Sequence, residues 1–133
     1  MSEAPHMLHH LSLGVRDLAR SATFYDAVLG ALGYVRVWAD DEAIGYGVAG
    51  GGDLLAIKLR PGATPPGPGF HLAFGAPSQE AVQAFHAAAM THYGADNGPA
   101  GLRPHYGAHY YAAFVIDPDG HQLEAVVNRP AEP

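Results

Sequence analysis

Cysteine is absent from the 133 residues, which removes disulfides, thiolate nucleophiles and thiolate-bound zinc together. Any metal has to be held by His, Asp or Glu. Charge is also sparse, at 15% of residues, and it leans negative, with 13 acids against 7 bases for a formal net charge of −6. With no basic run to neutralise phosphates, nucleic acid is excluded as a partner. No apolar stretch approaches the ~20 residues that span a bilayer. The N-terminal MSEAPHMLHH has neither the basic end nor the apolar run of a secretion signal. A cytoplasmic protein with no membrane partner is the expectation.

What is plentiful is glycine and proline, 17 and 11 residues, in a chain that is 48% apolar. That composition describes one globular domain with many turns. Histidine is also abundant, with 9 copies, of which His6, His9 and His10 crowd the N-terminus.

LHHLSLGV, residues 8–15, is β-compatible; Asp17 then stands at an N-cap position, and Leu18, Phe24, Tyr25, Val28 and Leu29 recur at helical spacing. Gly30 and Gly33 end the helix, and YVRVWA, AIGYGVA and LLAIKLR read as three strands separated by DDE and GGGD turns. The first half, about 7–60, is therefore βαβββ. PGATPPGPG, residues 61–69, is too rich in Pro and Gly for regular structure and reads as a linker. The second half, about 70–128, restarts the pattern with FHLAF, Ser78 as a helix cap, and Val82, Phe85, Ala89 and Met90 as an apolar face.

Adding 61 to each position carries His10, Leu11, Gly14, Phe24, Ala27 and Gly33 onto His71, Leu72, Gly75, Phe85, Ala88 and Gly94. A constant offset through a strand, a helix and the glycine behind it marks an internal repeat. From Asp96 to His109 the chain reads as a long loop with at most one short strand. YYAAFVIDPDGHQLEAVV then forms a hairpin that turns at Asp117-Pro118-Asp119-Gly120.

In a strand packed on a helix one alternating set of side chains is apolar, so the remaining set marks the other face of the sheet. Leu11, Leu13 and Val15 leave His10 on that face; Leu72 and Phe74 leave His71; Leu123, Ala125 and Val127 leave Gln122, Glu124 and Val126. His10, His71 and Glu124 are thus expected to converge. Two imidazoles and one carboxylate with open positions suit a divalent ion such as Fe, Mn, Ni or Zn that also binds substrate. On the fourth strand Lys58 occupies the open set and stands where the second half offers Glu124. Having donors only, it cannot ligate a metal. Either three protein ligands hold the ion with Lys58 turned aside, or Lys58 pairs with Glu124 in its place. His121, His86 and His92 read as solvated.

HHLSLGVRDLARSATFYDAVLGALGY, FHLAF and AAFVIDPDGHQLEAVV resemble the vicinal oxygen chelate superfamily, which contains glyoxalase I, extradiol dioxygenases, fosfomycin-resistance transferases and bleomycin-resistance proteins. The resemblance implies an α+β fold of two βαβββ modules whose curled mixed sheets surround a cavity, usually in a homodimer. It places metal ligands on the first and last strands of the modules, which are His10, His71 and Glu124 here, with Lys58 where glyoxalase I has a carboxylate. Phe114 falls where the fosfomycin enzymes carry a substrate-binding tyrosine. Arg103, His105 and Tyr106 on the long loop, with Tyr110 and Phe114 near the hairpin, are the candidates for holding a small-molecule substrate. The resemblance leaves two functions standing. One is a metal-dependent lyase, isomerase or dioxygenase that chelates two substrate oxygens and stabilises an enolate-type anion. The other is a metal-free small-molecule binding protein of the bleomycin-resistance kind.

Overall fold

Alternation in LSLGV fixes which side of the first strand is inside, and the rest of each module is assembled on that side. The computed structural model of the chain describes residues 5–130. In the first module β1 (Leu11–Val15) leads to α1 (Leu18–Ala31), β2 (Val35–Ala39), β3 (Ala43–Gly47) and β4 (Leu55–Leu59). In the second, β5 (Leu72–Gly75) leads to α2 (Gln79–Thr91), two short strands β6 (Ala95–Asp96) and β7 (Gly101–Leu102), and the hairpin β8 (Tyr110–Ile116) and β9 (Gln122–Asn128). Residues 61–69 contain no helix or strand. The long loop therefore holds two short strands where the sequence suggests at most one. Pairing with β8 organises both of them, a tertiary cause that leaves no local pattern.

Each helix starts where a short polar side chain replaces a missing backbone partner. The Asp17 side chain accepts from the Arg20 amide at 3.0 Å, and Ser78 Oγ accepts from the Ala81 amide at 3.1 Å. The chain leaves α1 through Gly33, whose φ of +94° lies in the left-handed region. The repeat partner Gly94 serves a different need. A Cβ on it would stand 2.7 Å from Phe24 Cε1 and 2.8 Å from the Ala89 carbonyl oxygen.

The strand order is β1-β4-β3-β2 in one sheet and β5-β9-β8-β6 in the other, with β7 also paired to β8. In both modules the first strand runs parallel to the last, and the remaining pairs are antiparallel. The modules meet chiefly helix against helix. One core, including Phe24, Tyr25, Val28, Phe85, Ala89, Val115 and Leu123, runs through both. The helices therefore lie between the sheets, and the open sheet faces belong to opposite sides of the molecule. The two sheets do not close into one cup within the chain.

A buried polar hub ties the hairpin turn of module two to the helix of module one. Asp117 Oδ2 accepts from Tyr25 OH at 2.5 Å and lies 2.8 Å from His121 Nδ1, while Oδ1 accepts from the Asp119 and His121 amides at 2.9 and 2.8 Å. Asp119 accepts from the Arg16 amide at 2.9 Å and from Ser21 Oγ at 3.1 Å, with the guanidinium groups of Arg16 and Arg20 at 3.3 and 3.6 Å. His121 is 2% exposed, a correction to its reading as a solvated turn residue. A carboxylate in the same turn gives its ring a partner, and that makes burial tolerable. His86 is likewise engaged, 2.8 Å from Asp96, and His92 Nδ1 lies 2.9 Å from the Ala88 carbonyl oxygen.

Candidate functional site

The open face of the second sheet carries the chemistry. Along β9 the two-residue period puts Gln122 and Glu124 on that face, and Glu124 pairs in register with Ala73 on one side and Phe114 on the other. Ala73 is too small to cover a neighbour, so His71, two residues earlier, has room to reach across. Its Nε2 lies 3.0 Å from Glu124 Oε1. The other carboxylate oxygen accepts a hydrogen bond from Tyr110 OH.

Glu124 is 2% exposed, whereas the His71 side chain is about half exposed, at 51%. A buried carboxylate is costly unless its oxygens are occupied, and these two partners occupy both. Burial, the hydrogen bond to Glu124 and the charge of that carboxylate push the Tyr110 phenol up to about 12. It is a neutral donor at physiological pH.

These groups open into a recess of about 270 Å³ lined by His71, Asn97, Tyr106, Tyr110, Phe114 and Gln122, with Leu123 and Glu124 below. Its walls are aromatic: Tyr106 and Tyr110 have ring centroids 5.2 Å apart, and His71 and Phe114 6.5 Å apart. A second crevice of about 170 Å³ lies between the modules, against Leu11, Leu29, Tyr34 and Leu72. It holds no carboxylate, imidazole or ammonium.

The sequence candidates divide. Tyr110, Phe114, Tyr106, His71 and Glu124 share the recess. Arg103 does not line it: its guanidinium donates to the carbonyls of Gly101 at 2.9 Å and Pro99 at 2.6 Å and lies over the Phe114 ring at 5.4 Å. It clamps the loop behind the aromatic wall. His105 also lies outside the lining, stacked on Tyr106 at 4.1 Å. His10 precedes β1 on the other sheet, exposed, with its Nδ1 2.9 Å from that of His9. Among the described residues no three His, Cys, Asp or Glu side chains are grouped to hold a metal ion. The expected convergence of His10 with His71 and Glu124 is therefore not made within one chain, because the helices stand between the two open faces.

For a divalent ion, the Nε2 of His71 and the Oε1 of Glu124 are adjacent donors of the right chemistry. Within one chain these are the two such donors that the recess brings together.

Register also corrects the placing of Lys58. Ser12 pairs with Ala56, and Ala73 pairs with Glu124; since 12 plus 61 is 73, the counterpart of Glu124 is Ala56. Lys58 pairs with Gly14, whose counterpart Gly75 pairs with Val126. Lys58 thus stands two residues from the carboxylate position, roughly 6–7 Å along the strand. Strand ends of uncertain length hide this shift from the sequence. Asn97 and Gln122 were missed as recess residues. The period of β9 already turned Gln122 to this face, whereas Asn97 reaches it through a loop fixed by β8, with its amide donating to the Phe114 carbonyl at 2.9 Å.

Residues 7–125 match the Glyoxalase/Bleomycin resistance protein/Dioxygenase superfamily. The chain belongs to this superfamily. Among solved structures it is similar to a glyoxalase/bleomycin resistance protein from Albidiferax ferrireducens T118, with 36% identity and a TM-score of 0.79 over 94% of this chain and 100% of that one. A glyoxalase-related enzyme from Fulvimarina pelagi shares 26% identity, with a TM-score of 0.69 over 91% of this chain and 88% of that one. A glyoxalase I mutant from Zea mays, at 24% identity, shares the fold with a TM-score of 0.68 over 90% of this chain and 46% of that one. None of the curated proteins matches the chain. Superfamily members bind small molecules and generally use divalent metals, and the paired βαβββ modules here are those of the superfamily. Among the described residues no helix is long and apolar enough to cross a membrane.

Proposed function

We propose that this superfamily member is a divalent-metal-dependent enzyme acting on a small oxygen-bearing substrate, with the ion held by His71 and Glu124 of one chain and His10 of a second copy in a homodimer. The observation that carries the reading is the buried Glu124 carboxylate 3.0 Å from a half-exposed imidazole in an aromatic-walled recess. The third donor is assigned to a second copy because no third His, Asp or Glu joins the pair among the described residues, and His10 is the imidazole that the repeat makes equivalent to His71.

His71 and Glu124 would hold an Fe, Mn, Ni or Zn ion, which would supply Lewis acidity toward the oxygens of a small substrate. The chain's own residues do the rest. Tyr106 and Phe114 give flat apolar walls that strip water from a ligand, and Asn97 and Gln122 provide amide donors and acceptors at its rim. His71 and Glu124 fix one another's orientation. The metal-free alternative rested on Lys58 and on the aromatic residues near the final hairpin; the register moves Lys58 off the carboxylate position, while Tyr106, Tyr110 and Phe114 line the recess and suit either reading.

Metal analysis after soaking with Mn(II), Fe(II), Ni(II) or Zn(II) tests the proposal. One ion per chain is expected in the parent and none in His71→Ala, Glu124→Gln or His10→Ala. Mixed dimers of His10→Ala with Glu124→Gln chains rebuild one of their two sites and should bind half an ion per chain. A parent that takes up no ion overturns the enzyme reading; thermal stabilisation by a small-molecule ligand without metal then supports the binding-protein alternative.

A further inference from the structure

The Pro- and Gly-rich linker between the modules is laid against β1 and the last hairpin turn. A Cβ on Gly14 would stand 3.0 Å from Ala63 Cβ, and one on Gly120 would stand 3.3 Å from Pro65 Cγ. Between the linker and the start of β9 lies a hollow of about 310 Å³, lined by Pro65, Gly67, Pro68, Phe70, Gly120 and Gln122. It adjoins the recess on two strands. Gln122 of β9 lines both spaces, and Phe70 of the hollow is followed at once by His71 of the recess. Glu124 is two residues beyond Gln122, roughly 6–7 Å along the strand.

The hollow differs from the recess in its chemistry. Residues 61–70 contain no acid, base or histidine. The acids of the neighbouring turn are turned away, since Asp117 and Asp119 are buried and accept hydrogen bonds within the hub. The Phe70 amide already donates to the Gly67 carbonyl at 3.3 Å, and the Gly120 amide to the Asp117 carbonyl at 3.0 Å. A charge placed here finds no partner among the lining side chains and loses part of its water, which disfavours it. Proline's locked φ keeps such a wall shaped before a ligand arrives, so little ordering is needed on binding. We propose that the hollow under the linker is a second subsite of the recess, which takes the uncharged tail of an elongated small molecule whose head lies beside His71 and Glu124. The inference rests on the reading of the recess as the ligand site, and the tail is held without any part for a metal ion.

The experiment titrates the protein with phenol, 4-butylphenol and 3-(4-hydroxyphenyl)propionate, read by amide chemical shifts. Phenol is the head probe because the aromatic walls of the recess suit a flat ring. All three should shift Asn97, Tyr106 and Gln122, and 4-butylphenol alone should also shift Gly67, Gly69 and Gly120. Its Kd should be about tenfold below that of phenol, the effect of burying roughly half of a four-carbon chain. The propionate, with a charged tail, should gain nothing over phenol. Pro68→Glu sets a carboxylate at an exposed position of the linker wall; it should abolish the tenfold gain and leave phenol at its parent Kd, which also shows that the variant is folded. Equal affinities for phenol and 4-butylphenol, or a gain undiminished in Pro68→Glu, overturns the subsite while leaving the recess standing. If none of the probes shifts a recess amide, the recess fails as the ligand site and the subsite fails with it. Loss of the metal-centre reading shows instead in the metal analysis above, so the failures are distinguishable.

Discussion

Module one and module two share a plan, a 61-residue offset and a strand register, yet only one of them carries an acid on its open face. At the position where module two has Glu124, held by His71 and Tyr110, module one has Ala56. Instead of a carboxylate its open face carries Trp38, which covers Gly45 so closely that a Cβ there would stand 2.2 Å from the indole Nε1. The turns differ as well. The last turn of module two is a buried hub gripped by α1, whereas the corresponding VAGGGD segment of module one is largely exposed. A repeated fold thus keeps its helix-facing core in both halves, because both halves need one, and concentrates polar chemistry in the half whose hairpin is anchored from both modules.

The largest expected effect breaks that anchor. Asp117→Ala leaves the Tyr25 hydroxyl, the His121 ring and two amides without their acceptor, and should cost about 3–5 kcal/mol in urea unfolding. Burial alone raises the Asp117 carboxyl, but hydrogen bonds from His121 and Tyr25 outweigh it and hold the group below its ordinary range. Its stabilisation is therefore complete above the unfolded carboxylate value of about 4 and is lost as pH falls through the lower folded value. In Asp117→Asn that part of the acid-unfolding slope should vanish, and an unchanged slope contradicts the assignment.

On the other module Gly45→Ala forces Trp38 off its seat and should cost about 1–3 kcal/mol. Trp38 is the single tryptophan, so a red-shifted emission reports its displacement directly; parent-like emission means the indole was never held there. Arg103→Ala sharpens the role of the loop. Loss of the clamp on Pro99 and Gly101 should speed amide exchange across residues 97–107, with about 1 kcal/mol or less of global stability lost. The smallest effect contrasts the two equivalent histidines. His71→Ala removes a partner of a buried carboxylate and should destabilise by about 1 kcal/mol after allowance for solvent screening, whereas His10→Ala at an exposed position should stay within about 0.5 kcal/mol. Equal effects from the two would mean that the His71–Glu124 pair contributes nothing to the isolated chain.

Much of this was legible from the residues. The strand phases that turned His71 and Glu124 to one face hold, as do the Asp17 and Ser78 caps and the hairpin at Asp117-Pro118-Asp119-Gly120. These depend on alternation, capping and turn chemistry within a few residues. His121 was misread because its partner Asp117, although in the same turn, is itself buried against Tyr25 of α1, 92 residues away. Lys58 was misplaced because equivalence between modules is set by hydrogen-bond register, and a shift of two residues preserves the alternation that a sequence displays. Arg103 had the right chemistry for a substrate and was taken by its own loop.

The sequence by itself determined the two modules, their helix caps, the face that His71 and Glu124 share and the family, because each depends on short-range periodicity or on a repeated pattern. Only the tertiary structure decided that the helices stand between the sheets, that His71, Glu124 and Tyr110 meet while His10 lies apart, and that Ala56 is the silent counterpart of Glu124. Packing of one helix on another and the register of one strand against its neighbour are long-range choices, and periodicity along a single strand carries no record of which neighbour it meets or at what offset.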